Sequence, residues 1–283
     1  MSRLVAELRR LYLLDEQPYG VWDGDGSRWQ PAGLLTAAAL DAHLDGEVTV
    51  ALDVGNPVEG AAGTRVVAID FGWTRDSDGM AAWRALCAMA QALQQELKLP
   101  APAVSITGAR GYRLWLSLAS PVAAAQAREF ALLARRAWCA GDDAVDSDDD
   151  GGDGRYLMLA PGVHRTSGAW AAFINPGMGA SFADESGLEM APPRDAQAAF
   201  LDGLDSIGVE AFAQALDVLR QRAGAAAAVP AAPAPALSPV TVAAAIAPAG
   251  LLLSDATLED IVRFLHAKNI EPTFRHLVPP ARN

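Results

Sequence analysis

Basic residues are scarce in this sequence. Its 283 residues include 22 Lys and Arg against 34 Asp and Glu, which gives a formal net charge of −12. A protein that grips the backbone of duplex nucleic acid normally carries an excess of positive charge. The deficit therefore argues against general, tight duplex binding. Many of the acids are concentrated in one glycine-rich stretch, residues 141–154, so a basic pocket elsewhere is compatible with the composition.

Cysteine is also rare, and this limits the covalent and metal chemistry of the chain. Cys87 and Cys139 both lie in apolar segments with helical periodicity, and neither has a Cys or His partner at zinc-ligand spacing. We therefore predict two buried free thiols. The four histidines have no nucleophile-elbow context, so the sequence predicts no Ser-His-Asp triad.

Long hydrophobic runs are missing as well. No apolar stretch approaches the roughly 20 residues of a membrane span. The opening "MSRLVAELRRLYLL" is typical of a charged amphipathic helix and has no signal-peptide cleavage pattern. We expect a cytoplasmic protein without a membrane partner.

The composition and its changes along the chain predict one large domain with an appendage. With 51% hydrophobic residues the chain can bury a sizeable core. We predict a main domain over 1–222, whose N-terminal part, 1–46, consists of two helices joined by a Gly/Asp/Trp-rich turn. Residues 223–250 are nearly pure Ala, Pro and Val, which is typical of a semi-extended linker. Residues 251–283 regain an amphipathic helical pattern, and so short an element must dock back or bind a protein partner.

Strands and helices alternate in the main domain, and the strands come in neighbouring pairs. This arrangement favours an α+β fold with a mixed or antiparallel sheet over a doubly wound parallel sheet. Predicted strands are 47–54, 64–71, 103–107, 112–118 and 155–160, and predicted helices are 80–98, 121–140, 194–203 and 209–222.

The stretch "SITGARGYRLWLSL" joins two of these strands through a Gly-x-x-Gly turn that carries an arginine. By local physics it is a β-hairpin whose glycines supply positive φ angles. A Walker-type phosphate loop is excluded, since neither Gly-Lys-Ser/Thr nor a following helix is present. Alternation along the second strand places Arg113, Trp115 and Ser117 on one face. If Asp70 shares that face, the turn can also form an anion cradle.

Several elements in this order resemble the archaeo-eukaryotic primase superfamily, which includes primase-polymerases and the polymerase domains of bacterial end-joining ligases. They are a strand ending in Asp70, a long helix, Thr107 followed by Gly-x-x-Gly and a strand, and the turn "PGVHRTSG" at 161–168. The resemblance covers about residues 48–204. It implies a primase-polymerase-like, RRM-like sheet with flanking helices, and phosphoryl transfer assisted by two Mg²⁺ or Mn²⁺ ions.

Carried over residue by residue, the resemblance makes Asp70 a metal ligand and a catalytic residue. The second acid of the family's Asp-x-Asp pair is replaced by Gly72, which has no side chain to bind a metal. Asp146 or Asp148 would supply the third acid. Asp76 and Asp78 could replace the missing ligand only if the chain turns sharply after Gly72.

The same resemblance implies a phosphate-binding pocket. Thr107 stands where the family has Ser, and Arg113 where it has His, although a guanidinium is a good phosphate ligand. The implied nucleotide- or phosphate-binding residues are Thr107, Gly108, Arg110, Arg113, His164 and Arg165. By local criteria, His164 and Arg165 either bind phosphate or satisfy backbone groups of their own turn. Trp22, Trp29 and Trp115 either stack on bases or pack in the core.

Three functions are compatible with these residues. The first is a primase-polymerase-like protein of replication, repair or mobile-element and defence systems that binds nucleotide or nucleic acid through a degenerate catalytic site. The second is a non-catalytic scaffold that recruits a partner through 251–283. The third is an active two-metal primase or polymerase, which needs a further ligand beside Asp70.

Overall fold

The fold of the protein is taken from a computed structural model that describes residues 2–24, 28–55, 63–74, 79–139, 154–185 and 187–228. The helices are α1 (Arg3–Leu11), α2 (Ala37–Leu44), α3 (Gly79–Gln95), α4 (Ala124–Trp138), α5 (Arg194–Leu201) and α6 (Val209–Ala228), and a 3₁₀ helix spans Pro176–Phe182. The strands are β1 (Pro18–Asp23), β2 (Arg28–Leu34), β3 (Val50–Asp53), β4 (Gly63–Gly72), β5 (Ala103–Ile106), β6 (Gly111–Ala123), β7 (Tyr156–Met158), β8 (Gly162–Val163) and β9 (Trp170–Phe173).

These strands form two antiparallel sheets. One has the order β2-β1-β3-β7, and the other has the order β4-β6-β5-β9-β8. Every pairing between named strands is antiparallel. The predicted α+β class with antiparallel strands is confirmed. The structure divides the strands between two sheets where the sequence predicted one.

The two faces of β6 bury different side chains because successive residues of a strand point to opposite sides. Tyr112, Leu114 and Leu116 share one face and belong to a core cluster that also contains buried residues of α3, α4 and α6. The opposite face carries Arg113 and Trp115, and Trp115 belongs to a second cluster. This second face is the one that matters for the candidate site.

The second core cluster joins the five-stranded sheet to the N-terminal part of the chain. Its members include buried leucines of α1, α2 and α5 together with Leu52 of β3 and Met158 of β7. The hydroxyl of Ser2 caps α1 by accepting from the Val5 amide. Arg65 of β4 donates to the carbonyl oxygens of Leu13 and Leu118, which ties the end of α1 to the sheet.

The Gly/Asp/Trp-rich segment of the N-terminal part is a β-hairpin, which corrects the predicted turn between two helices. Strands β1 and β2 pair from Pro18 with Leu34 to Asp23 with Arg28, with one shift of register between Tyr19 and Gly20. Pro31 lies within β2, and this is tolerated because β2 is the outermost strand of its sheet. The proline masked the strand signal in the sequence.

Helix boundaries also differ from the prediction. Pro121 was predicted in the first turn of a helix, but β6 continues to Ala123, and the proline lies where β6 leaves its register with β4. Helix α6 runs past the predicted end at 222 to Ala228, since alanine is the best helix former and no proline occurs before Pro230. The remainder of the predicted linker and the element 251–283 lie outside the described residues.

Both cysteines are free, as predicted, but the prediction that they are buried is wrong. Cys87 is exposed and Cys139 is half-buried. Within the part of the chain that the structure describes, no helix combines the length and hydropathy needed to cross a bilayer.

Candidate functional site

Asp70 and Arg113 lie at directly paired positions of β4 and β6, on the same face of the sheet. The Arg113 Nε atom donates to Asp70 Oδ1 at 2.5 Å, and its terminal nitrogen donates to Oδ2 at 2.9 Å. A third guanidinium N–H points to the carbonyl of Met158 at 3.3 Å. The Arg113 side chain is only 4% exposed. Arg113 and Asp70 therefore form a bidentate salt bridge, a geometry that favours strong charge-assisted hydrogen bonds.

This ion pair bears directly on metal binding. Both carboxylate oxygens of Asp70 accept from Arg113, so a Mg²⁺ or Mn²⁺ ion at Asp70 would compete with Arg113 for the negative charge of that carboxylate. Gly72 offers no side chain, and Asp146 and Asp148 lie outside the described residues. Among the residues that the structure describes, no three His, Cys, Asp or Glu side chains gather in a metal-binding group. Of the acids named as candidate ligands, the structure describes Asp70 alone, since Asp76 and Asp78 also lie outside the described residues.

The glycine turn uses its own polar groups to close the β5–β6 hairpin. The Thr107 amide donates to the Gly111 carbonyl, and the Gly111 amide donates to the Ala109 carbonyl. The Thr107 hydroxyl accepts from the Ala109 amide at 3.3 Å. These bonds engage three backbone amides and the Thr107 side chain, which is buried. These hydrogen bonds are those of a β-hairpin, the structure that the local sequence pattern predicts.

Gly108 is required by packing as well as by backbone geometry. Its φ is +79°, and a Cβ added there would lie 2.7 Å from the His164 Cβ and 3.0 Å from the Ala169 carbonyl oxygen. A Cβ added to Gly187 would lie 2.8 Å from the Gly108 Cα. The surroundings of Gly108 are therefore filled by the protein itself.

The predicted turn at 161–168 meets the glycine turn in space. Ser167 Oγ donates to the Gly108 carbonyl at 2.5 Å. His164 Nδ1 lies 3.3 Å from the Ser167 amide nitrogen and 3.1 Å from the Ser167 hydroxyl oxygen. His164 is 8% exposed. The two segments that carry the family resemblance, 105–118 and 161–168, are thus brought together, and His164 helps to order its own turn.

The exposed cations of the predicted pocket are Arg110 and Arg165. Arg165 Nε donates to Thr49 Oγ1 at 2.5 Å, and its terminal nitrogen points to the Gly46 carbonyl at 3.4 Å. These partners are neutral, so the Arg165 guanidinium is positioned while keeping its charge for another partner. The Arg110 carbonyl accepts from the Trp73 amide, which places Arg110 beside the end of β4.

A groove beside Asp70 contains two arginines that the sequence did not single out. It has a volume of about 350 Å³ and is lined by β4, α4 and the Tyr156 end of β7. Arg135 donates to the backbone carbonyl of Asp70 at 2.7 Å, and Arg128 donates to the Gly154 carbonyl at 2.7 Å. Their spacing of two helical turns was the available signal, because residues seven apart share one face of a helix. The fold was needed to show which element that face meets.

The three tryptophans singled out in the sequence have different environments. Trp115 is 1% exposed, contacts the rings of Tyr12 and Phe173, and donates its indole N–H to Ser105 Oγ at 2.8 Å. It is a core residue. Trp22 and Trp29 oppose each other on the N-terminal hairpin and are partly exposed.

No protein-family model matches this chain, and no curated protein matches it. Solved structures with a similar fold include the following three. The archaeo-eukaryotic primase domain of the cyanophage S-2L primase-polymerase has 18% identity and a TM-score of 0.40, over 64% of this chain and 96% of that one. The polymerase domain of ligase D from Mycobacterium tuberculosis, in complex with DNA, has 12% identity and a TM-score of 0.41, over 70% and 84%. The catalytic domain of primase Repb', in complex with initiator DNA, has 13% identity and a TM-score of 0.37, over 78% and 97%. The similarity concerns the course of the chain and assigns no role to any residue.

Proposed function

We propose that this protein binds nucleotide or nucleic acid in a replication, repair or mobile-element and defence system, and that it does not itself transfer nucleotides. The observation that carries the proposal is the bidentate ion pair of Asp70 with Arg113. Two-metal phosphoryl transfer needs free carboxylate oxygens to hold the ions. Here the acid that the family resemblance makes the first ligand is neutralised from within the sheet.

Two features support the binding half of the proposal. The glycine turn and the 161–168 turn are joined by the bond from Ser167 to Gly108, and each turn contains one exposed arginine, Arg110 in the first and Arg165 in the second. Arginine is well suited to phosphate because its planar fork can donate two parallel hydrogen bonds. With a net charge of −12 the whole protein repels polyanions, so binding depends on these local cations and is weakened by salt.

A primer-extension assay tests the absence of catalysis. The purified full chain is incubated with labelled primer-template, each nucleotide and either Mg²⁺ or Mn²⁺, next to the Asp70→Ala variant. We expect no extension by either protein. Extension by the wild type that disappears in Asp70→Ala would overturn the proposal and establish an active polymerase.

A binding assay tests the other half. Fluorescent nucleotide and labelled oligonucleotide are titrated with the wild type, Arg110→Ala, Arg165→Ala and, as a matched control, Arg136→Ala, since Arg136 is an exposed arginine of α4. We expect at least one of the first two variants to weaken binding about tenfold, the effect of losing one charge-assisted contact of roughly 1.5 kcal/mol. Absence of binding by the wild type, or an equal loss in Arg136→Ala, would contradict a phosphate site at the turns.

A further inference from the structure

A row of aromatic rings runs outward from β7 to the N-terminal hairpin. The rings of Trp29 and Tyr156 have centroids 6.1 Å apart with planes tilted by 30°. Trp22 and Trp29 lie directly opposite each other on β1 and β2, with centroids 5.3 Å apart in an edge-to-face arrangement. Trp29 is held between the two other rings, whereas Trp22 ends the row and is partly exposed. An additional flat ring can therefore extend the row at Trp22.

Thr49 places the cation Arg165 next to the end of this row. The Trp22 amide donates to the Thr49 carbonyl at 3.2 Å, and Arg165 Nε donates to the Thr49 hydroxyl at 2.5 Å. The same hydroxyl donates to the Val163 carbonyl at 2.8 Å, which fixes its orientation. The backbone of Trp22 and the guanidinium of Arg165 are thus linked through one residue.

Arg165 has no acidic partner among the described residues; its contacts are with the neutral groups of Thr49 and Gly46. By contrast, Arg155, next to the other end of the row, is paired with Asp53 at 2.8 Å. Because the Arg165 guanidinium is oriented and has no carboxylate partner there, it can bind an anion from outside the chain.

Trp22, Trp29, His164 and Arg165 line a depression of about 20 Å³. That volume holds no more than a water molecule, so a base cannot enter it. A base would lie on the rim against the exposed part of Trp22. Surface stacking of this kind is how proteins bind single strands with little sequence preference, because every base has a flat face and stacking needs no deep pocket.

We propose that Trp22 stacks on a nucleobase while Arg165 pairs with the phosphate of the same or the next nucleotide. The inference rests on the proposed function and names the residues that recognise the ligand. The shared chemistry is an unpaired base with its phosphate, supplied by single-stranded nucleic acid or by a free nucleotide. Duplex is excluded because its base faces are covered. Stacking is independent of the net charge, which suits a protein as acidic as this one.

Fluorescence anisotropy of a labelled oligothymidylate of about ten nucleotides tests the site. Trp22→Ala should weaken binding about tenfold, since stacking on one base contributes roughly 1–3 kcal/mol. Trp22→Phe keeps a flat ring and should retain most of the affinity. Arg165→Ala should weaken binding and flatten its salt dependence by a log-log slope of about 0.7, the value for one phosphate of a single strand. Trp138→Ala, at a partly exposed tryptophan of α4, is the matched control and should change neither quantity.

A mononucleotide competitor identifies the source of the ligand. If thymidine triphosphate competes with the oligonucleotide, and its affinity for Trp22→Ala is about tenfold lower than for the wild type, the ligand of the site is a free nucleotide. If the oligonucleotide binds and thymidine triphosphate does not compete, the ligand is a single strand. Unchanged oligonucleotide affinity in a folded Trp22→Ala protein overturns the stacking site and leaves the proposed function standing. If the wild type binds neither probe, the stacking site and the proposed function fall together.

Discussion

Arg113 reaches across from β6 and holds both carboxylate oxygens of Asp70 on β4, at positions that pair directly in the sheet. The Asp70 side chain is 19% exposed and that of Arg113 is 4% exposed. Asp70 and Arg113 therefore neutralise each other's charge within the sheet. A cation at Asp70 or an anion at Arg113 would compete with this ion pair.

Removing one member of this pair should destabilise the protein. Arg113→Ala leaves the Asp70 carboxylate without its partner and opens a cavity above Trp115, whose ring centroid lies 5.7 Å from the guanidinium carbon. Breaking a buried ion pair from one side costs about 3 kcal/mol. Urea unfolding followed by circular dichroism should show this loss as a lower midpoint with an unchanged slope.

The double variant separates pairing from packing. Asp70→Ala combined with Arg113→Ala leaves no unpaired charge, so the two losses should overlap by about 1–3 kcal/mol in a double-mutant cycle. If the losses of unfolding free energy in the two single variants simply add in the double variant, the two residues are not coupled. That result would contradict the interpretation that Arg113 neutralises Asp70.

Gly108 and Gly203 allow a clean test of why the glycine turn needs glycine. Their φ angles are +79° and +78°, but a Cβ at Gly203 meets no atom within 4 Å, whereas one at Gly108 meets the His164 Cβ at 2.7 Å. Gly203→Ala should cost about 1 kcal/mol from the left-handed backbone alone. Gly108→Ala should cost about 3 kcal/mol because crowding adds to that strain.

Thermal unfolding of the two variants at one pH measures the difference. Equal losses would show that the surroundings of Gly108 relax freely, and that its packing against the 161–168 turn does not require glycine.

The elements that the sequence predicted well are those whose signal is local. The helical period through Trp83, Leu86 and Leu93 and the alternation from Tyr112 to Leu118 depend on side chains that point into one core. Both elements form, although α3 ends at Gln95 and β6 continues to Ala123. The β1–β2 hairpin was missed because its glycines and Pro31 are typical of loops. Only its place as an outer strand makes the proline acceptable.

The site was predictable as a set of residues but not as an arrangement. Alternation correctly placed Arg113 and Trp115 on one face, yet the partner of Arg113 depended on the register of β4 against β6, which no local pattern specifies. The spacing of Arg128 and Arg135 in the sequence places them on one face of a helix. Its position next to Asp70 follows from a contact between distant segments.

Ser105 and Trp115 provide a test of the buried polar groups beneath the site. Ser105 is 1% exposed, and its hydroxyl accepts from the Trp115 indole. Ser105→Ala leaves that buried N–H without a partner and should cost about 2 kcal/mol. Trp115→Phe in the Ser105→Ala background removes the orphaned donor, so the double variant should lose less than the sum of the single losses. Simple additivity in urea unfolding would contradict this hydrogen bond.

His43 predicts a pH dependence of stability that is separate from the site. Its ring is fully buried, accepts from the Val50 amide at Nδ1 and donates from Nε2 to the Leu159 carbonyl at 3.0 Å. Burial lowers the pKa of the imidazole from its usual 6.5 to about 4, and this outweighs the opposing effect of the hydrogen bond to Leu159. The folded protein therefore keeps His43 neutral where the unfolded chain would protonate it.

Because the unfolded chain binds the extra proton, stability at His43 is unaffected above pH 6.5 and falls as the pH drops from 6.5 to about 4. The loss approaches about 3 kcal/mol at the acidic end, at roughly 1.4 kcal/mol for each unit of pKa. His43→Gln removes the titrating ring but retains an amide that can donate to Leu159, so its unfolding free energy should lack this component. The measurement is the difference between the wild-type and His43→Gln curves across that range, in which the other titrating groups cancel. If the two curves of unfolding free energy against pH are parallel, the His43 imidazole gains a proton as easily in the folded protein as in the unfolded chain. That result would contradict the prediction, because the two buried hydrogen bonds of the neutral ring oppose protonation.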